Sequence, residues 1–96
     1  MNKKFTLTLL GLLLFALFSY AQKSVRGKVT DASDGMGIPG VSVSVKGQTG
    51  NTVATNNDGT FTINVPSNNS VLVFSYIGYA TKEVTVGNQV TINVGL

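Results

Sequence analysis

Beyond residue 21 the chain alternates apolar and polar residues in short runs, and no run has the apolar spacing of an amphipathic helix. Alternation with a period of two is typical of a β-strand that buries one face. Val, Thr, Ile and Phe dominate the runs, as they do in strands generally. The pattern predicts an all-β domain with seven strands, at residues 25–30, 41–46, 52–55, 60–65, 71–75, 81–86 and 89–94.

The same alternation predicts which side chains face the interior. Every second position is apolar, and the positions between are mostly Ser, Thr, Lys or Asn, as in antiparallel sheets with one solvated face. Run 71–75 is apolar on both faces, so it is either a central strand or one whose outer face is covered. The predicted core consists of Val25, Gly27, Val29, Val41, Val43, Val45, Phe61, Ile63, Val65, Val84, Val86, Val90, Ile92 and Val94.

Turn-forming residues separate the runs. Residues 31–40 form a long connection with three glycines and one proline, and Pro66 ends the fourth strand because it cannot donate to a ladder. The sequence Asn-Asp-Gly at 57–59 predicts a tight hairpin with its glycine at positive φ, and Gly-Asn at 87–88 predicts a two-residue hairpin loop. Short strands at this spacing predict a seven-stranded antiparallel β-sandwich, of the immunoglobulin-like type in outline.

Residues 1–21 differ from the rest of the chain. Lys3 and Lys4 precede an apolar stretch at 7–18, and small residues at Ser19 and Ala21 suit a cleavage site after Ala21. A retained anchor is the alternative, but about 12 apolar residues fall short of the roughly 20 that span a bilayer. The sequence therefore predicts a signal peptide for Sec export at 1–21 and one domain at 22–96.

The charges of residues 22–96 are few and scattered. Lys3 and Lys4 account for two of the seven basic residues, so the predicted domain holds five basic and four acidic side chains. No basic patch could neutralise several phosphates, so nucleic acid is not an expected partner. The chain has no cysteine, and no disulfide can stabilise it.

The residue types present offer little to catalysis. Without His or Cys the chain lacks zinc ligands of the usual kind, an imidazole base and a thiol nucleophile, so we expect no enzyme activity and no cofactor. Asp31 with Asp34, and Asn56 to Asp58, are two clusters of oxygen donors that suggest calcium. More carboxylates are usual in such sites, so we interpret both clusters as turns and expect no metal.

Residues 74–79, FSYIGY, place three aromatic side chains around a glycine directly after a strand. In one interpretation Phe74 and Tyr76 fill the core, Gly78 forms a turn, and a tyrosine hydroxyl bonds to the main chain. In the other, an exposed patch docks onto a neighbouring domain or partner protein, because tyrosine-rich patches supply interface energy. The candidate interaction surface consists of Tyr76, Ile77 and Tyr79.

Four segments together resemble the carboxypeptidase-regulatory-like domain, in the version found at the N-terminus of SusC/RagA-type TonB-linked outer-membrane receptors. They are GKVTD at 27–31, IPGVSVSVKG at 38–47, TNNDGTFTINVP at 55–66 and FSYIGY at 74–79. The resemblance implies a prealbumin-like sandwich in the periplasm of a Gram-negative cell, ahead of a plug and a barrel that import glycans or peptides. It concerns the accessory sandwich of carboxypeptidases, which is not their catalytic unit.

The resemblance leaves more than one functional class open. The chain reads as part of a receptor, associated with the outer membrane through the plug and barrel, or as a free-standing domain with a periplasmic protein partner. We expect no small-molecule substrate to be bound by this domain alone. The alternatives are a secreted binding or adhesion module for a carbohydrate or surface polymer, and a calcium-dependent structural domain.

Overall fold

The computed structural model describes residues 22–96. The predicted signal peptide and its cleavage site lie outside the described residues. Among residues 22–96, no helix has the length and apolar character of a membrane span.

The described residues form seven strands, as the alternation predicts. The fourth and fifth strands have the predicted bounds, and the other bounds differ by at most two residues. The strands are β1 (Lys23–Thr30), β2 (Ser42–Val45), β3 (Thr52–Ala54), β4 (Thr60–Val65), β5 (Val71–Ser75), β6 (Lys82–Thr85) and β7 (Thr91–Gly95).

The strands form two sheets, of order β4-β1-β7 and β3-β2-β5-β6, and the all-β sandwich is confirmed. The prediction that every pair is antiparallel is wrong for one pair, because β1 and β7 run parallel with Gly27 beside Ile92. A parallel pair needs a long crossover, and here that crossover comprises the whole of the intervening chain. β5 lies between β2 and β6, so the run that is apolar on both faces is a central strand.

One core lies between the sheets and holds most of the predicted positions. Phe61 from one sheet and Phe74 from the other pack edge to face, with ring centroids 5.5 Å apart. At Gly27 a Cβ would collide with the Ile92 carbonyl oxygen, so this predicted position lets the backbone of β7 approach β1 closely instead of filling space. Ile38 and Leu72 are buried although the alternation did not single them out.

Val90 is the predicted core residue that the structure places outside. It precedes β7 and is 58% exposed, because the strand begins one residue later. Val84 is only partly buried against the core.

The two predicted hairpins are wrong for a shared reason. β3 and β4 belong to different sheets, and so do β6 and β7, so each connection carries the chain across the sandwich. We call residues 55–59 the β3–β4 crossing and residues 86–90 the β6–β7 crossing. Gly59 and Gly87 do have positive φ, at 84° and 60°, but a local turn does not determine whether its flanking strands pair. Pro66 follows β4 directly, as predicted.

Candidate interaction surface

The β5–β6 loop, residues 76–81, carries the predicted interaction residues. Phe74, the last inward residue of β5, is fully buried, and the chain then turns outward. Gly78 has φ of 89°, and the turn is closed by the Tyr79 N–H, which donates to the Tyr76 carbonyl at 3.2 Å. Ile77, at the tip of this turn, is 94% exposed. Phe74 therefore belongs to the core and Gly78 forms a turn, as the core interpretation predicts, and Tyr79 is partly buried against the core. Tyr76 does not fill the core as that interpretation predicts.

Tyr79 holds the loop against the β1–β2 connection. Its hydroxyl donates to Asp31 Oδ2 at 2.6 Å, while Asp31 Oδ1 accepts from the Ser33 N–H at 2.8 Å. The expected bond from a tyrosine to the main chain is therefore replaced by a bond to a carboxylate. Hydrogen bonds from the Ser33 side chain and then from Tyr79 lower the pKa of Asp31 to about 2. The same carboxylate raises the pKa of Tyr79, so the neutral phenol and the charged acid stabilise each other.

Tyr76 lies beside Tyr79 and over a glycine. The ring centroids are 5.9 Å apart at an interplanar angle of 44°. A Cβ on Gly40 would lie 3.8 Å from Tyr76 Cε1, an ordinary contact distance, so the ring packs over this glycine, and the φ of 77° is what favours glycine here. Tyr76 is nevertheless 37% exposed. The two tyrosine rings thus pack together next to Ile77, whose side chain is exposed to solvent.

The last residue of the chain, Leu96, lies close to this loop. The Leu96 N–H donates to the Thr30 carbonyl and the Leu96 carbonyl accepts from the Ala32 N–H, both at 2.8 Å. Asp31, the partner of Tyr79, lies between these two residues of the β1–β2 connection. The predicted surface is therefore at the end of the sandwich where residue 96 lies.

Met36 is an exposed apolar residue that the sequence pattern did not single out. It is 68% exposed, and its carbonyl accepts from the Asp31 N–H at 2.8 Å, so it lies at the same end as Tyr79. An isolated methionine between Gly35 and Gly37 has no periodicity that would indicate a role. Only the folding of the connection places it near the loop.

The acidic candidates act within their own turns. Asp34 Oδ1 accepts from the Met36 N–H at 2.9 Å, and Asp58 Oδ1 accepts from the Thr60 N–H at 3.2 Å and the Thr60 hydroxyl at 2.7 Å. These Thr60 bonds, side chain first, lower the pKa of Asp58. Across residues 22–96 no group of three or more acidic residues is arranged to hold a metal ion. The turn interpretation thus describes how these carboxylates are used here.

Comparison with known proteins gives a consistent result. The family described as the CarboxypepD_reg-like domain matches residues 25–96. TonB-dependent receptor P3 of Formosa agariphila is 42% identical over 85 residues, which is 88% of this chain and 8% of that receptor. TonB-dependent receptors P26 and P39 of the same organism are 42% and 38% identical over 83 and 88 residues. The chain spans about 8% of the length of these curated relatives.

Proposed function

Because the chain belongs to the CarboxypepD_reg-like domain family, we propose that it is a non-catalytic N-terminal accessory domain of a TonB-dependent nutrient receptor. Three relatives with that receptor name support this role. In this proposal residues 1–21 direct Sec export, the sandwich lies in the periplasm, and the sequence is part of a longer receptor. A plug and a barrel that import a glycan or peptide follow it.

The observation that carries the proposal is the position of the exposed loop. Ile77 is exposed next to Tyr76 and Tyr79, at the end of the sandwich where Leu96 lies, so a segment following Leu96 would begin beside it. An exposed branched apolar residue flanked by tyrosines has the composition of an interface anchor. We therefore assign Tyr76, Ile77 and Tyr79 to contact with the plug or with a periplasmic protein partner.

The chemistry of the carboxylates supports a role without catalysis. Asp31 and Asp58 have lowered pKa values because neighbouring hydroxyls donate to them, so both stay ionised at neutral pH. A general acid or base works best with a pKa near the working pH. The pKa values of Asp31 and Asp58 are shifted further below neutral pH. The chain also contains no histidine or cysteine that could replace them.

The proposal is tested by substitution in a full-length receptor that carries this domain. Ile77→Ser removes the projecting side chain, and because Ile77 is almost fully exposed it should not alter folding. Loss of a buried branched side chain at an interface weakens docking by about 2 kcal/mol, roughly thirtyfold in affinity. Val90→Ser is the matched control, since Val90 is also exposed but lies near the start of β7.

The measurements are hydrogen exchange at residues 76–79 and uptake of the receptor's substrate. We expect slow exchange at the loop in the receptor, faster exchange in Ile77→Ser, and no change in Val90→Ser. Deletion of residues 22–96 should reduce uptake or assembly of the receptor. Normal uptake after that deletion, or equal exchange in the two serine variants, would contradict the proposal.

A further inference from the structure

The sandwich has four edge strands, two of which are poor templates for a partner strand. They are β3 and β6, at the ends of the four-stranded sheet. β3 has only three residues, and β6 carries the charged side chains Lys82 and Glu83. Short length and charge are the usual means by which proteins prevent pairing at an edge.

The edge of β4, in the other sheet, is partly covered by the chain itself. The Asn64 carbonyl accepts from Asn51 Nδ2 at 2.9 Å, and the Thr60 carbonyl accepts from the Asn56 N–H at 2.8 Å. The Thr60 N–H is also engaged, by the Asp58 carboxylate. An incoming strand would have to displace these bonds.

β7 differs from the other three edges. Its five residues, Thr91–Gly95, include no charge and no proline. The Arg26 N–H donates to the Val90 carbonyl at 3.0 Å and the Leu96 N–H to the Thr30 carbonyl at 2.8 Å, one at each end of the ladder with β1. By alternation, the N–H groups of Thr91, Asn93 and Gly95 point away from β1, toward the edge.

Only one hydrogen bond within residues 22–96 reaches over this edge. Lys82 Nζ donates to the Gly95 carbonyl at 3.3 Å, from an exposed and flexible side chain. Such a bond is long and solvent-accessible, so an incoming backbone donor would replace it at little cost. The edge of β7 is therefore open to a fourth strand.

The side chains around β7 define the chemistry of that strand. Ile92 and Val94 are buried, so an added strand would place every second side chain beside the apolar interior. On the outer face, Thr91 pairs with Arg26 and Asn93 with Lys28. The strands of this sheet contain no acidic residue, so Arg26 and Lys28 give its outer face a positive charge.

We propose that β7 binds an extended segment of a partner protein by strand addition, and that this segment alternates apolar with acidic residues. Its backbone bonds the amides of Thr91, Asn93 and Gly95. Its acidic side chains lie about two strand spacings, or roughly 10 Å, from β1, a distance that glutamate and arginine span together. Backbone bonds supply the affinity and the alternating side chains the specificity. This surface is separate from the β5–β6 loop, so the proposal does not depend on the docking proposed above.

The test uses the full chain labelled with ¹⁵N and the blocked peptide Thr-Val-Glu-Val-Glu-Val-Thr as the probe. We expect the peptide to slow hydrogen exchange at the amides of Thr91, Asn93 and Gly95. The same peptide with lysine in place of glutamate should bind about threefold more weakly, because exposed charges on strands about 10 Å apart interact only modestly.

Asn93→Pro removes the central outward donor and keeps the ladder with β1, where that N–H takes no part. We expect it to weaken peptide binding about tenfold, through one lost hydrogen bond and the added ring. Asn93→Ala is the matched control, because it removes the same side chain, including the bond from the Lys28 N–H to Asn93 Oδ1, and keeps the donor.

A second variant does not depend on how β7 tolerates proline. Arg26 and Lys28 are exposed, so the double change Arg26→Glu, Lys28→Glu leaves the core intact and should reverse the preference toward the lysine peptide. Three results would each overturn the proposal: protection at β6 instead of β7, equal binding by the two Asn93 variants, or an unchanged peptide preference in the double variant. Concentration-dependent self-association that protects the β7 amides without peptide would also overturn it, by assigning the edge to a second copy of the chain.

Discussion

The β3–β4 and β6–β7 crossings both carry the chain between the sheets through a glycine at positive φ, yet their surroundings differ. In the β3–β4 crossing Thr55 is buried, and its hydroxyl donates to the Ile38 carbonyl at 2.6 Å and accepts from the Val41 N–H at 2.9 Å. Gly59 is also buried, because Gly37 and Ile38 of the β1–β2 connection pack against it.

The β6–β7 crossing is held at its start but less closely covered. The Val86 N–H donates to the Ser70 carbonyl at 2.9 Å and the Gly87 N–H to the Asn68 carbonyl at 2.8 Å. Nothing lies within 4 Å of the position that a Cβ on Gly87 would occupy, and Val90 is exposed. Lys23 Nζ donates to the Gly87 carbonyl at 2.9 Å from the start of β1. Similar local turn residues therefore occur in a closely packed crossing and in a more open one, according to which distant segment contacts them.

The largest expected effect comes from adding a methyl group to the two glycines. Gly59→Ala should lower the free energy of unfolding by roughly 3 kcal/mol, from left-handed strain plus a Cβ forced against the chain. That Cβ would lie 2.5 Å from the Val29 carbonyl oxygen. Gly87→Ala meets open space and should cost only about 1 kcal/mol. Urea denaturation of both variants measures the difference, and equal costs would remove the distinction between the crossings.

Thr55→Val should have the next largest effect, about 2 kcal/mol. It keeps the volume but leaves the Val41 N–H and the Ile38 carbonyl without their partner in a buried site. Thr55→Ser keeps the hydroxyl and is the control, with a smaller loss from one methyl group. A stability of Thr55→Val equal to that of Thr55→Ser would mean that water replaces the hydroxyl and that this crossing is less closed than its geometry indicates.

Low pH should disturb the hydrogen bonds of the β3–β4 crossing and leave those of the β6–β7 crossing unchanged. The folded pKa of Asp58 is below its usual value of 3.8, so the stability it contributes is present above that pH and is lost as pH falls through the folded pKa. Asp31 behaves alike, with a folded pKa of about 2. We expect the Thr60 amide, which donates to Asp58, to shift in NMR spectra below pH 4. The Gln89 amide, which donates to the Val86 carbonyl, should stay constant, and a shared shift would indicate global unfolding instead.

The smallest effect is expected at Val90. Val90→Thr changes an exposed side chain and should alter the free energy of unfolding by less than about 0.5 kcal/mol. Val86, at the other end of the same crossing, is fully buried, and Val86→Thr should cost about 2 kcal/mol by burying a hydroxyl. Thermal denaturation of both variants tests whether the edge of the core lies between Val86 and Val90. A large loss of stability in Val90→Thr would show that the core extends to Val90.

The candidate surface was only partly predictable. The unusual composition of residues 74–79 indicated Tyr76, Ile77 and Tyr79, and the structure exposes Ile77 and, in part, Tyr76. The bond from Tyr79 to Asp31 joins residues 48 positions apart, so no local pattern could predict it. Met36 was missed for the same reason, because its place beside Asp31 depends on how a long connection folds.

The sequence by itself determined the strands and the faces they bury, because side chains alternate along any extended backbone and apolar ones leave water wherever the strand lies. β4 and β5 therefore have the predicted bounds. Only the tertiary structure decided which strands pair. The parallel β1–β7 ladder and the two crossings depend on contacts between residues far apart in the chain, which turn residues do not encode. That assembly also decided which edge stays open, since an edge is free or covered only through the position of its neighbours.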